Sequence, residues 1–359
     1  MPIGKNALKG YILEEVLAYL IRNAGYKLLV IPEQDRRELI WRGNGLAVKG
    51  RGGIHQVDVL GELEWIPAFT YPIRLFLEAK FKNDPVGIDV VRKAIGTLFD
   101  INQNLSPIRE QKEFYQRYQY VYALFSTSGF RKTASQLAIA HQISLIDLGE
   151  AQFNDLLNSI NESADRIYRM LPLPYNRVIV SMRYLLRERL GTIPQQIYEK
   201  VIERLNIPDD LFSLEECLSS TINTASQYGE LFVGMANAPF MLLLKADNPQ
   251  RFISYAREHP THHIMINWSR KKDEGKTWII TPLEDKNAYR LTFRLPTLLA
   301  KWIFESQKEF AETRRRALAI KERFFSSISI YRREDGKDYL FRLLFEPMYV
   351  FDVEDEQNE

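Results

Sequence analysis

Apolar and polar residues recur along this chain with two periods, and the switches between them mark its elements. Residues 8 to 24, LKGYILEEVLAYLIRNA, set Leu13, Val16, Leu17, Leu20 and Ile21 at helical spacing, with Gly25 where the helix would stop. Short apolar runs follow: LLVIP at 28 to 32, IHQVDVLGELEW at 54 to 65 and IRLFLEAKF at 73 to 81, with Gly43, Gly45, Gly50, Gly52 and Gly53 at the turns. These predict strands. Helical periodicity returns in GIDVVRKAIGTLFDI at 87 to 101, YVYALFS at 120 to 126 predicts a buried strand, TASQLAIAHQ a helix and ISLIDL a closing strand. That order predicts an α/β domain whose mixed sheet is flanked by helices on both faces.

LPLPYNR, residues 171 to 177, carries two prolines in four positions and lies near the expected connection to a second unit. Beyond it RVIVSMRYLLRERL, PQQIYEKVIERL and LEECLSSTINTAS predict helices, and APFMLLLKA, HHIMINWS, KTWIITPL and YRLTFRLP predict strands. A long helical pattern from about 297 to 324 precedes the strands SISIYRR and YLFRLLF, and the acidic tail VEDEQNE predicts no packed element. The expected organisation is a first domain over residues 1 to 160 and an α+β domain over 161 to 359, a division that suits a chain of 359 residues.

Composition narrows the function classes. Apolar residues at 45% suffice for two buried cores. The single cysteine, Cys217, excludes an intrachain disulfide and a cysteine-rich zinc site, and fits a reducing cytoplasmic compartment. No apolar run approaches the ~18 residues of a membrane span, and the N-terminus has no signal-peptide pattern, so a soluble cytoplasmic protein is expected. With 48 basic and 46 acidic residues, nucleic-acid binding would have to come from local patches.

The chemistry is concentrated in HQVDVLGELEWIPAFTYPIRLFLEAKFK, residues 55 to 82. Asp58 lies on one predicted strand; Glu78 and Lys80, two apart, share one face of the next, with Ala79 turned to the other face beside Leu77 and Phe81. A hairpin connection brings Asp58 beside that face. Two carboxylates and an amine converging in this way suit phosphodiester hydrolysis: hard oxygens hold Mg²⁺, with Mn²⁺ able to substitute, the ion activates a water, and Lys80 offsets charge on the phosphoryl oxygens.

This segment resembles the PD-(D/E)xK nuclease superfamily and, within it, the Mrr-like restriction endonucleases. The resemblance runs over roughly residues 8 to 150. Leu13-Glu14 before Gly25-Tyr26 is similar to the family's phenylalanine-glutamate pair before a glycine-tyrosine turn, Gln56 matches a glutamine two before the metal aspartate, and GRGGIHQVD its small-residue approach. PVGIDVVRKAIG resembles the helix after the ExK strand, and ALFSTSGFRKTASQLAIAHQISLIDL the family's later strand and helix. Two positions depart: many Mrr-like proteins have glutamine where Glu78 stands, and Val57 replaces the proline before Asp58. The resemblance implies a restriction-endonuclease-like fold, auxiliary site roles for Glu14 and Gln56, DNA as substrate, and a part in restriction or phage defence alongside partner proteins. Cutting both strands at once needs two sites, which a homodimer supplies. The alternatives are a nuclease fold that binds or senses without turnover, and an RNA- or structure-directed nuclease.

Other motifs read as structural. GKT at 275 to 277 lacks the upstream glycine of a phosphate loop, Arg270 standing in its place. His259, His262 and His263 have metal-like spacing, but Pro260 breaks any helix between them. His55 falls on the strand face opposite Gln56 and Asp58, and Arg314, Arg315 and Arg316 predict a solvated helix; Lys82 and Lys93 are candidate phosphate contacts.

Overall fold

A computed structural model describes residues 4–43, 45–64, 70–104, 116–149, 153–170, 176–205, 211–228, 231–236, 241–268, 277–295, 310–334 and 337–347. The proline-rich stretch at 171–175, positions 297–309 of the long helical pattern, Arg314's side chain, Arg270, Trp65 and the acidic tail lie outside them.

In chain order the first half contains α1 (Lys5–Asn23), β1 (Tyr26–Leu29), β2 (Leu39–Arg42), β3 (Gly45–Lys49), β4 (Ile54–Gln56), β5 (Val59–Leu63), β6 (Ile73–Lys80), α2 (Ile88–Asn102), β7 (Gln119–Ser126), α3 (Lys132–Ala140) and β8 (Ser144–Asp147). A five-stranded mixed sheet runs β1-β5-β6-β7-β8: β1, β5 and β6 pair antiparallel, while β6, β7 and β8 run parallel. Parallel neighbours need crossovers, and α2 and α3 supply them. The predicted strand at 54 to 65 is in fact two. The Val57 N–H still donates to Leu46 O of β3 at 3.0 Å, whereas the Asp58 N–H donates to Leu77 O of β6 at 3.3 Å. The chain therefore leaves the small sheet β2-β3-β4 and joins the large one at Asp58.

Both faces of the large sheet are covered. Leu75, Leu77 and Ala123 pack under Leu13, Val16 and Leu17 of α1; Phe76, Tyr122 and Leu124 pack against Val91 and Ala94 of α2 and Ala134 of α3. At the far end of β6, Arg74 is wholly buried yet fully engaged, reaching Asp35 and Glu62 at 2.8 Å each and lying 3.3 Å over the Tyr118 ring. Buried charge is tolerated there because it is paired and hydrogen-bonded.

The expected division at residue 160 falls inside α4 (Asn154–Met170), a helix that was not predicted although Leu156, Ile160, Ala164 and Ile167 form an apolar stripe at helical spacing. Then come α5 (Asn176–Arg189), α6 (Gln195–Leu205) and α7 (Leu211–Tyr228). Residues of α4, α5 and α7 share one apolar core with α1. The rest of the chain holds β9 (Leu231–Ala236), β10 (Met241–Ala246), α8 (Pro249–Glu258), β11 (Thr261–Trp268), β12 (Thr277–Pro282), β13 (Leu291–Arg294), α9 (Phe310–Phe324), β14 (Ser327–Glu334) and β15 (Lys337–Phe345). Mixed α and β structure was expected; closure was not. The strands form a barrel in the order β10-β13-β12-β11-β15-β14-β9, with β9 returning to β10. Every other residue of β12 and β13 points inward, and Trp278, Phe252, Phe293, Phe325 and Phe341 fill the core.

One glycine ties the two regions together. Gly25, at φ +88°, turns the chain from α1 into β1, and a Cβ there would sit 2.0 Å from Cδ1 of the buried Tyr331 on β14. Gly25→Ala therefore lowers stability by roughly 2 to 4 kcal/mol, combining left-handed backbone strain with overpacking. Thermal denaturation measures this, and an unchanged melting temperature would contradict it.

Candidate active site

The Asp58 side chain emerges at the switch between sheets, and its Oδ2 accepts the Ala79 N–H at 2.7 Å. That bond fixes the aspartate against the C-terminal end of β6, where Glu78 and Lys80 project from one face as their spacing requires. Glu78 Oε1 is in contact with the Lys80 ammonium, and Lys93 Nζ of α2 lies 3.9 Å from the same oxygen. Glu78 Oε2 accepts the Tyr122 hydroxyl, from a strand directly beside β6. Tyr122 is held by stacking on Phe76, ring centroids 4.9 Å apart. Ala79 packs into the opposite, α1-covered layer with Leu77 and Phe81.

The approach to Asp58 is equally determined. Asp100 of α2 accepts the Gly52 N–H at 2.7 Å and the Gly53 N–H at 3.0 Å, and its Oδ2 lies 2.7 Å from His55 Nε2. A Cβ on Gly50 would stand 2.0 Å from Asp100 Oδ2, so a larger residue there would displace the carboxylate from this network. His55 is thus tied to the glycine-rich approach through Asp100. Gln56 is exposed on β4, and the space a Cβ on Gly45 would need is taken by its carboxamide.

Glu14 reaches the site from α1. Arg183 of α5 bridges it at 2.9 Å and also contacts Glu15 at 2.6 Å; Arg187 adds a contact to Glu15 at 2.8 Å. Glu15, the more deeply buried of the pair, thus serves the joint between α1 and α5, while Glu14 faces Asp58 closely enough to influence its ionisation.

Electrostatics separates the three carboxyls. Burial pushes Glu14 up to about 8; Arg183 opposes this, and Asp58 and Glu15 add to it. Asp58 is also raised, by burial first and then by Glu78, against the opposing Ala79 N–H and Lys80 charge. Burial would raise Glu78 too, but the Lys80 charge and hydrogen bond, the Tyr122 hydroxyl and Lys93 outweigh it and hold the group below the usual carboxylate range. Neighbouring acids driven apart in this way characterise functional sites as well as structural ion pairs.

These donors suit a hard divalent cation. Among the described residues no three His, Cys, Asp or Glu side chains converge as a metal group. Asp58 and Glu78 form a smaller set, that of Mg²⁺, which takes one or two carboxylates and keeps much of its water. Burial leaves Asp58 reluctant to ionise alone, a penalty that a cation removes. Because Lys80 and Tyr122 occupy the Glu78 oxygens, a cation there competes with Lys80 for Oε1.

Tyr122 and Arg183 were not among the predicted site residues. For Tyr122 a signal existed, a hydroxyl in an otherwise apolar strand; for Arg183, far from Glu14 in sequence, there was none. The histidines also resolve: His262 is buried, its Nε2 2.6 Å from the Tyr289 hydroxyl and its Nδ1 2.7 Å from His259 O, while His263 lies 3.2 Å from Glu346.

No protein-family model matches this chain, and no curated protein does. A solved structure, that of a protein of unknown function designated AF1548, aligns with a TM-score of 0.34 and 13% identity over 60% of this chain and 98% of the other. A likeness this slight supports no conclusion about fold or activity.

Proposed function

We propose that this protein is a metal-dependent endonuclease of the PD-(D/E)xK type, related to the Mrr-like restriction endonucleases, that hydrolyses DNA phosphodiester bonds. The observation that carries the reading is the convergence of Asp58, Glu78 and Lys80 at the C-terminal end of β6. A mixed sheet with α1 on one face and α2 and α3 on the other is compatible with a restriction-endonuclease-like core.

In this reading Asp58 and Glu78 hold Mg²⁺ or Mn²⁺, which when bound polarises the phosphate and lowers the pKa of a water. Lys80, beside Glu78 Oε1, would offset charge growing on the phosphoryl oxygens. The Ala79 N–H and the Tyr122 hydroxyl keep the two carboxylates from swinging away, and Lys93 and Lys82 add positive charge for the strand. The resemblance extends the proposal to restriction or phage defence in a cytoplasmic setting, with a homodimer presenting two sites to two strands. Among the described residues no helix is long and apolar enough to cross a membrane.

The test is a time course of plasmid and RNA incubation with the full chain and Mg²⁺ or Mn²⁺, with a chelator control. Metal-dependent cutting of DNA is expected. RNA cut in preference would reassign the substrate, and DNA left intact with both ions would overturn the reading.

The pH dependence follows from the raised acids. Asp58 must shed its proton before it can hold a cation, and Glu14 beside it adds negative charge as it ionises at about 8, so metal binding releases protons and cleavage at limiting Mg²⁺ rises with pH through about 8. Stability moves the other way. Below 4.5 Glu14 is protonated in both states; above it the unfolded form ionises first, so stability falls until about 8. Rates at fixed low Mg²⁺ across this range check the first statement, and a rate falling with pH would refute it.

A further inference from the structure

A cleft of about 660 Å³ opens beside Asp58. One wall is formed by Leu46, Val57 and Asp58 on the strand side, the other by Val180 and Tyr184 of α5 and Ile197 of α6. Two exposed side chains that line it, Trp41 and Lys200, mark its edge. Arg183 and Arg187 line it as well, tied to Glu15.

Three features define what fits. The volume lies within the range of about 300 to 1,000 Å³ typical of small-ligand sites. The lining is mostly apolar, its charged members being Glu15, Glu33, Asp58, Arg183, Arg187 and Lys200, so a flat ring can lie between apolar walls with its phosphate turned to Asp58. An exposed indole at the edge is a stacking platform of the kind that holds unpaired bases.

We propose that this cleft receives one unpaired nucleotide next to the phosphate that is cut, so that the preferred substrate is DNA with an unpaired or extruded base and not an intact duplex. The inference rests on the nuclease reading above and specifies its substrate class. Asp58 carries the connection, since it both lines the cleft and joins Glu78 and Lys80. A base already unpaired enters without the unstacking penalty of a paired one.

The experiment compares two duplexes of the same sequence, one fully paired and one with a single unpaired 2-aminopurine, using the full chain and Mg²⁺. The unpaired duplex is cut about tenfold faster, the size of one base-stacking contact. Trp41→Ala and Val180→Phe each remove most of that preference. Trp41 is 44% exposed, so its replacement tests the cleft even where Val180→Phe fails to fold. In Lys80→Ala protein without added metal ion, so that binding is read apart from cutting, 2-aminopurine fluorescence changes on binding, and the change is lost when Trp41→Ala is added. Equal cutting of both duplexes, with Trp41→Ala indistinguishable from the parent, overturns the cleft proposal and leaves the nuclease reading standing. Cutting of neither duplex with Mg²⁺ or Mn²⁺ removes the nuclease reading itself, and this inference with it.

Discussion

Lys80→Ala lowers metal-dependent DNA cleavage by about 10²- to 10³-fold, the usual effect of removing a preorganised positive group from a reacting phosphate. Asp58→Ala does the same or more, since it takes away one of two carboxylates for the ion. The two variants differ in a way that separates their roles. Lys80 contacts Glu78 and holds it below its usual range, so its removal leaves a carboxylate that still binds Mg²⁺ but whose ionisation moves to higher pH. Asp58→Ala instead weakens Mg²⁺ binding, so more metal recovers part of the lost rate. Neither change should unfold the protein. Lys80 sits at the end of its strand, and Asp58 spends one oxygen on a single backbone bond. Cleavage rates over a Mg²⁺ titration, beside melting curves, check both expectations. Cutting undiminished in both variants would place the chemistry elsewhere.

Glu15→Ala has the largest expected effect on stability, about 3 to 5 kcal/mol, measured as a fall in the denaturant midpoint. Glu15 is 2% exposed and accepts from both Arg183 and Arg187. Its charge is retained despite full burial because the two guanidinium groups outweigh desolvation and hold it below the usual carboxylate range. Removing it takes the shared partner from two cations between α1 and α5, leaving Arg183 to Glu14 and, less closely, Asp58. The damage comes from the unpaired charges more than from the lost bridge. Glu15→Leu combined with Arg183→Met and Arg187→Met should therefore restore much of the stability that Glu15→Ala loses. The triple change also frees Glu14 from its partner, so cleavage measured on it reports whether Arg183 serves the site as well as the fold. A Glu15→Ala protein as stable as the parent would show that the joint between α1 and α5 is held by apolar packing alone.

The first half was readable because its signals are local. A three- to four-residue period in α1 and α2, the apolar run of β7 and the two-residue spacing of Glu78 and Lys80 each depend only on how a helix or strand presents successive side chains. The face shared by Glu78 and Lys80, with Ala79 on the other, follows from that alone. Where the sequence misled, the cause was partner choice. The run at 54 to 65 alternates as one strand would, yet it serves two sheets, because pairing with β3 and then with β6 depends on residues distant in sequence. In α4 the spacing of Leu156, Ile160, Ala164 and Ile167 is itself helical, a local signal missed beside a proline-rich stretch, and the stripe is buried in a core shared with α1.

By itself, then, the sequence determined the strands and helices with strong periodicity, the mixed α and β character of the chain, and the shared face of Glu78 and Lys80, since all of these rest on short-range spacing; that Asp58 lies beside them depends on where the chain changes sheets. Only the tertiary structure decided that the late strands close into a barrel, that Tyr122 braces Glu78, and that Arg183 reaches Glu14 and Glu15 from a helix more than a hundred residues away. It also decided that Gly25 must lie under Tyr331 and that a cleft forms where α5 and α6 approach the strands. Closure, burial and ion pairing are properties of surfaces brought together by the fold, and no local pattern of residues encodes which surfaces will meet.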